Sequence, residues 1–414
     1  MTLLLSNIGF LTGLGLLCAL VARGVHAWWN WSVGYRHRTM VWQASLRRFH
    51  ETVLEKEHSR EECHEHSIAW HGYRRFVVAQ LIPAASQTAS IYLVPEDGRP
   101  LPNFQPGQYL TLRIQLPGVT KPLIRCYSLS DRPREDHYRL TVKAAGQASE
   151  FLYRELRVGN VLDVQAPRGD FVLDQQDPRA VVFVAAGIGI TPVFSMLSTI
   201  LQEHSARPVV LFYGVRNSTE HAFNEQLTAL ARQHKLFQYV PCYSQPLPTD
   251  RLGYDYVAGQ RIDIDLLRKI MPHAAFPIYL CGPGSFMEAM VGGLKSWGVA
   301  ESDIHYEAFG PATVKSLQSA STASPASSHH VRVTFRKSGQ TTQWEQQTTS
   351  ILEHGEEHDL SLPSGCRSGN CGMCAIKLLA GKVRYLRKPS AEIPGGYCLS
   401  CVAVPENNDL ILDA

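Results

Sequence analysis

The sequence has no long basic run interleaved with aromatic residues, and 40 Lys+Arg against 37 Asp+Glu leave a formal net charge of only +3. A nucleic-acid groove, which needs a concentrated positive face, is therefore a poor assignment. Charged residues make up 19% of the 414 and hydrophobic residues 44%, so the signature of disorder is missing and there is ample material for ordinary cores. No internal repeat is apparent, which leaves no case for a repeat array. An even spread of cysteines is lacking as well. Cys18, Cys63, Cys126, Cys242 and Cys281 are scattered, whereas Cys366, Cys371, Cys374, Cys398 and Cys401 crowd towards the C-terminal end. A disulfide scaffold would spread them and belong to a shorter secreted chain, so the crowding points to a metal centre in a reducing compartment. The length predicts two to four domains.

Charge is also missing locally. From Leu3 to Ala22 no side chain is charged. As a helix rising about 1.5 Å per residue, this run reaches roughly 30 Å, one hydrocarbon thickness. A cleaved signal peptide, cut after Val25-His26-Ala27, would carry Lys or Arg ahead of the apolar run, and none is present. Residues 1–22 are thus expected to be a transmembrane anchor in contact with membrane lipid. Arg23, Arg36, Arg38, Arg47 and Arg48 all precede the first acid, Glu51, so the positive-inside rule puts everything after Arg23 in the cytoplasm. Within residues 23–68, Trp42, Leu46, Phe49 and Val53 recur at helical spacing, which predicts a helical connector lying on the membrane or packed on the next domain.

After residue 68 the texture changes to short β-rich runs punctuated by Pro and Gly, among them Phe76 to Gln80, Ser90 to Val94, Tyr109 to Ile114 and Tyr138 to Val142. These predict a small antiparallel β-barrel over 69–175. From Ala180 apolar runs alternate with helical stretches, including Val181 to Ala185, Val209 to Tyr213 and Ile278 to Leu280. Such alternation predicts an α/β domain with a parallel sheet over 176–310. Pro311 to His330 is rich in Ser and Ala and reads as a flexible linker. Residues 331–414 are long enough for a compact final domain, expected to be α+β.

Cys366, Cys371 and Cys374 form C-x4-C-x2-C, the ligand spacing of plant-type [2Fe-2S] clusters, which need a fourth thiolate further on. Gly365, Gly369 and Gly372 allow positive φ and remove side chains that would block backbone N–H groups from the cluster. Zinc would use two C-x2-C pairs, Cys371/Cys374 and Cys398/Cys401, and would leave Cys366 and the glycines unexplained. LPSGCRSGNCGMC, from Leu362 to Cys374, followed by YCLSCVAVP, from Tyr397 to Pro405, resembles the plant-type ferredoxin family. The resemblance implies ligands Cys366, Cys371, Cys374 and Cys401, with Cys398 a neighbouring core thiol.

Four further motifs follow one another: Arg125-Cys126-Tyr127-Ser128, Gly146-Gln147-Ala148-Ser149, Ala166 to Phe171 (APRGDF), and Gly187-Ile188-Gly189-Ile190-Thr191-Pro192. The last runs from an apolar strand into a helix, an arrangement whose backbone amides can receive a pyrophosphate, although it is not a full G-x-G-x-x-G. Together with Trp70 to Phe76 and Pro106 to Tyr109, the series resembles the ferredoxin-NADP reductase superfamily, and the reductase half of flavohaemoglobins in particular. No globin half is expected within residues 1–68, which are short for one and partly membrane-like. The resemblance implies that Arg125 holds a flavin phosphate, Tyr127 lies along the isoalloxazine and Ser128 hydrogen-bonds near N5. Gly146 and Ser149 open a helix suited to flavin phosphates, and Gly187, Gly189 and Thr191 receive the dinucleotide. Cys281, Gly282 and Pro283 match the nicotinamide-side loop, placing Cys281 near the hydride path, and Glu307 and Phe309 border the flavin. Arg216 stands where it can pair with a 2′-phosphate or face solvent. FAD is the expected flavin, rather than the FMN of the phthalate-dioxygenase reductases that share this domain order.

The expected protein is a membrane-anchored oxidoreductase, fusing reductase to ferredoxin, that passes electrons from NAD(P)H through flavin and a [2Fe-2S] cluster. Its expected partner is a terminal oxygenase, hydroxylase or desaturase. The alternatives are a subunit of a membrane NADH dehydrogenase, in which the ferredoxin precedes the reductase, and a redox sensor with little turnover.

Overall fold

The structure is a computed structural model that describes residues 70, 72–119, 122–203, 206–271, 274–309, 331–344, 350–386, 389, 391, 393–406 and 409–414. The expected anchor, connector and linker lie outside the described residues. Among those described, no helix is long and apolar enough to cross a membrane.

The first domain is the expected barrel. Its strands are β1 (Arg74–Ala85), β2 (Thr88–Pro95), β3 (Tyr109–Ile114), β4 (Leu123–Ser128), β5 (Tyr138–Lys143) and β6 (Val161–Val164), with α1 (Gln147–Arg154) between the last two. They run antiparallel in the order β4-β3-β6-β1-β2-β5. The two ends meet through a Leu129–Leu140 bridge and a hydrogen bond from Ser130 N to Arg139 O, 2.8 Å long. Closure removes the exposed edges an open sheet would leave. Phe76, Val78, Ile91, Leu93, Leu110, Leu112, Leu140 and Val164 fill the interior. The sequence places β3 to the residue, but β1 is longer than its expected core because Pro83 sits beyond the stretch where β1 pairs with β6 and needs no second hydrogen-bonding edge.

In the second domain the order is β7 (Val181–Ala186), α2 (Ile190–Glu203), β8 (Val209–Val215), α3 (Asn224–Gln233), β9 (Phe237–Tyr243), α4 (Ile264–Ile270), β10 (Ile278–Gly282), α5 (Gly284–Trp297) and β11 (Ile304–Ala308). All strand pairs are parallel, in the order β11-β10-β7-β8-β9. Alternate residues of β7 feed opposite cores: Val181, Phe183 and Ala185 one, Val182 and Val184 the other. Burial on both faces explains why these strands read as continuous apolar runs. The strand order reverses between β7 and β10, and at the carboxyl ends of those strands a doubly wound sheet opens its ligand crevice.

The last domain comprises β12 (Arg332–Phe335), β13 (Gln340–Gln343), α6 (Ile351–Glu357), β14 (Ala375–Ala380), β15 (Val383–Tyr385), β16 (Tyr397–Leu399), β17 (Ala403–Pro405) and β18 (Leu410–Leu412). A mixed sheet in the order β13-β12-β18-β14-β16 is accompanied by a β15-β17 ribbon, which makes the domain α+β as expected. The cysteine loop leaves α6 and returns into β14.

Candidate functional site

A cleft of about 420 Å³ is walled by all three domains. The barrel contributes Arg125, Tyr127 and Ser128 from β4, and Gly146 and Ser149 from the start of α1. The α/β domain contributes Thr191, Glu307 and Phe309, and the last domain closes the wall with Cys366, Ser368 and Asn370.

At α1, Ser149 Oγ accepts the N–H groups of Ala145 and Gly146, each at 3.0 Å, and donates to Gly146 O at 2.9 Å. The residues of this first turn, Gly146 to Ser149, line the cleft. A Cβ at Gly146 would meet no atom within 4 Å, so the position opens onto free space. An open backbone corner at a helix N-terminus fits a flavin phosphate. Burial pushes the Tyr127 phenol well above its ordinary pKa, which keeps it neutral beside such a ligand.

Ser128 Oγ donates to Glu307 Oε2 at 3.4 Å, and the Glu307 side chain is only 4% exposed. Strand register sets Cys281 beside Glu307. Burial, and then the Glu307 charge, raise the Cys281 pKa well above the usual thiol value, so Cys281 is held as a neutral thiol. Gly187 takes φ +55°, and a Cβ on Gly189 would lie 2.2 Å from Cys281 O. Only glycine lets the start of α2 cross β10 this closely. Thr191 Oγ1 donates to Ile188 O at 3.0 Å and ties the turn. Gly282 ends β10, Pro283 caps α5, and Phe309 packs on the core under α2 while facing the cleft.

The four cysteines expected as ligands are buried and arrive as two close pairs. The N–H of Cys366 donates to Cys371 Sγ at 3.2 Å, and the N–H groups of Asn370 and Cys371 donate to Cys366 Sγ at 3.3 Å. Cys374 and Cys401 are 3.2 Å apart, sulfur to sulfur. Cys366 is drawn towards thiolate first by the Cys126 thiol and then by Cys371, and Cys374 by Cys401. Among the described residues no group of three or more His, Cys, Asp or Glu could hold a single metal ion. Two pairs of thiols suit a two-iron cluster, with two sulfurs for each iron. A Cβ at Gly365 would come within 2.7 Å of Cys371 Sγ, and Gly369 and Gly372 take φ +76° and +74°, so the loop needs these glycines to wrap a cluster. Cys398 lies elsewhere, wholly buried in the sheet core with Val333 and Phe335, and burial pushes its thiol to about 12.

Residues 96–173 match the oxidoreductase FAD-binding domain family, 183–292 the oxidoreductase NAD-binding domain family, and 333–406 the 2Fe-2S iron-sulfur cluster binding domain family. The crystal structure of the flavohem-like FAD/NAD-binding domain of nitric oxide dioxygenase from Vibrio cholerae is 31% identical. That match covers 58% of this chain and all of the other, with a TM-score of 0.53. The chain belongs to the ferredoxin-NADP reductase superfamily.

The chain is also similar to phthalate dioxygenase reductase, at 25% identity and a TM-score of 0.52 over 83% of this chain and 98% of the other. A flavohemoprotein of Halalkalibacterium halodurans is 37% identical over 260 residues, which is 61% of this chain. The chain spans 63% of that relative's length.

The structure gathers the residues expected around a flavin, but it gives Arg125 a second task. Its Nη1 donates to Ile124 O at 2.8 Å and to Gly365 O at 3.2 Å, across the junction with the ferredoxin domain. Arg216 is paired with Glu220, which also accepts Lys143 at 3.2 Å. Two contributors escape a reading of the motifs. Tyr109 Oη donates to Asn370 O at 2.8 Å, and Cys126 packs against Cys366 and Cys371. The available signal is the period of two along β4, which puts Ile124, Cys126 and Ser128 on one face.

Proposed function

We propose that this reductase takes electrons from NAD(P)H through FAD to its [2Fe-2S] cluster and delivers them to a terminal oxygenase, hydroxylase or desaturase. The observation that carries this reading is one strand face: Ile124 and Cys126 lie against Cys366 and Cys371, and Ser128, two residues on, reaches Glu307. Phthalate dioxygenase reductase, described as a modular structure for electron transfer from pyridine nucleotides to [2Fe-2S], supports the same order of transfer.

Bound FAD accepts a hydride from NAD(P)H as an electron pair and releases electrons singly, and a [2Fe-2S] cluster accepts one at a time. The side chains place these groups. Arg125, Gly146 and Ser149 hold the flavin phosphates, a guanidinium and helix N–H groups being matched to phosphate oxygens. Tyr127 and Phe309 border the isoalloxazine. Ser128 Oγ, bonded to Glu307, supports the changing protonation at N5. Gly187, Gly189 and Thr191 receive the dinucleotide, with Cys281, Gly282 and Pro283 at its nicotinamide end. Cys366, Cys371, Cys374 and Cys401 ligate the cluster. In the same reading, residues 1–22 anchor the chain in the membrane with both redox domains in the cytoplasm, which favours a membrane-bound acceptor.

Purified chain is expected to reduce cytochrome c with NADH or NADPH, and Cys371→Ser to lose at least tenfold of that rate while NAD(P)H still bleaches the flavin. Equal rates in the two proteins would remove the cluster from the exit path, and flavin bleaching that takes minutes would favour a sensor. Removing residues 1–22 is expected to release the chain from the membrane fraction.

A further inference from the structure

Two side chains of the flavin barrel, Tyr73 and Cys126, pack on the cluster loop. Tyr73 packs against the group formed by Ile124, Cys366 and Cys371, and its hydroxyl is buried with no hydrogen-bond partner among the described residues. The Arg113 guanidinium lies over its ring, 4.4 Å from the centroid, and is fixed by Asp163 at 2.8 Å, so the phenol is held in place. An orphaned buried hydroxyl is unfavourable unless an acceptor is supplied, and acceptors at this place are the sulfurs of a cluster. Cys126 packs against Cys366 and Cys371 and is 3.4 Å from Thr111 Oγ1. With Thr111 donating to Cys126, the Cys126 S–H is left for Cys366.

We propose that Tyr73 Oη–H and Cys126 S–H are hydrogen-bond donors from the flavin barrel to the sulfurs of the ferredoxin domain's cluster, and that they raise its reduction potential while the domains are apposed. This rests on the cluster assignment above. Hydrogen bonds to cluster sulfurs stabilise the more negative, one-electron-reduced state. One electron leaves the reduced flavin, the oxidised cluster gains it, and both donors keep their protons. Because donors and cluster belong to different domains, the cluster is the stronger electron acceptor while it faces the flavin. It becomes the stronger donor once those contacts part.

The test is an EPR-monitored redox titration of the full holoprotein and of Tyr73→Phe, Cys126→Ala and Cys126→Ser. Tyr73→Phe and Cys126→Ala are each expected to lower the equilibrium constant for cluster reduction about threefold. Together they are expected to lower it about tenfold, or 59 mV for one electron. Cys126→Ser keeps an O–H donor and is expected to restore most of the potential. Unchanged potentials in Tyr73→Phe and Cys126→Ala, with EPR showing intact clusters, would overturn the proposal. Loss of the cluster altogether in every Tyr73 and Cys126 variant would overturn the proposal and place the ligand assignment in question. A normal cluster with lowered potential leaves that assignment standing.

Discussion

Gly189 is where the start of a helix, a strand carbonyl and the dinucleotide turn meet, and a methyl group there has nowhere to go. With Cys281 O only 2.2 Å from the added carbon, Gly189→Ala must push α2 off β10. Such overpacking costs typically about 1–3 kcal/mol. The expected outcome is a lower melting temperature together with a raised KM for NAD(P)H, measured by thermal unfolding and steady-state kinetics. Cys398 and Cys401 form a paired test. Cys401→Ser is expected to lose the cluster's EPR signal, whereas Cys398→Ser keeps it and loses about 1–3 kcal/mol by placing a hydroxyl in an apolar core. A cluster lost with Cys398→Ser would reverse the ligand assignment. The cysteine loop was legible because thiols at fixed spacing among glycines have few other uses. Cys126 was not, since its partner Cys366 is brought to it only by the packing of two domains.

Among the elements, β8 and β9 are tied by a buried imidazole. His221 follows the turn after β8, bonds Tyr243 on β9 through Nδ1 at 2.7 Å and Tyr239 through Nε2, and is pushed down to about 4 by burial, against a weaker pull upward from Asp255 and Asp250. Above about pH 6.5 the ring is neutral in both folded and unfolded chains, and its contribution is complete. As pH falls from there towards 4, the unfolded chain takes up a proton that the folded domain refuses, so stability declines by up to about 3 kcal/mol. Urea unfolding near pH 7.5 and near pH 5 is expected to show this decline in the wild type and a smaller one in His221→Gln. The strands themselves were largely legible. β3 alternates over a closed barrel, and β7 is buried on both faces, so each sequence pattern has a single structural solution. The boundaries of β1 were less so, because its bulges at Val78/Gln80 and Pro83/Ala85 break the period.

For the whole molecule, the decisive arrangement is the ferredoxin loop seated on the flavin strand, through hydrogen bonds from Arg125 to Gly365 O and Tyr109 to Asn370 O and the packing of Cys126 on Cys366. Motifs announced each domain but not this seating, since it joins side chains more than 200 residues apart, whose contact leaves no local trace. Tyr109→Phe removes one hydrogen bond of the junction, worth about 0.5–1.5 kcal/mol, and spares the cluster ligands. It is expected to slow flavin-to-cluster transfer severalfold in stopped-flow while NAD(P)H-to-flavin transfer keeps its rate. The order NAD(P)H, flavin, cluster is tested most directly by mixing the full holoprotein with NAD(P)H without oxygen and following flavin absorbance and the cluster's EPR signal in rapid-freeze samples. Flavin bleaching followed by growth of the reduced-cluster signal, with that growth abolished in Cys371→Ser, is the predicted result. A cluster that stays oxidised while the chain reduces cytochrome c at full rate would contradict it.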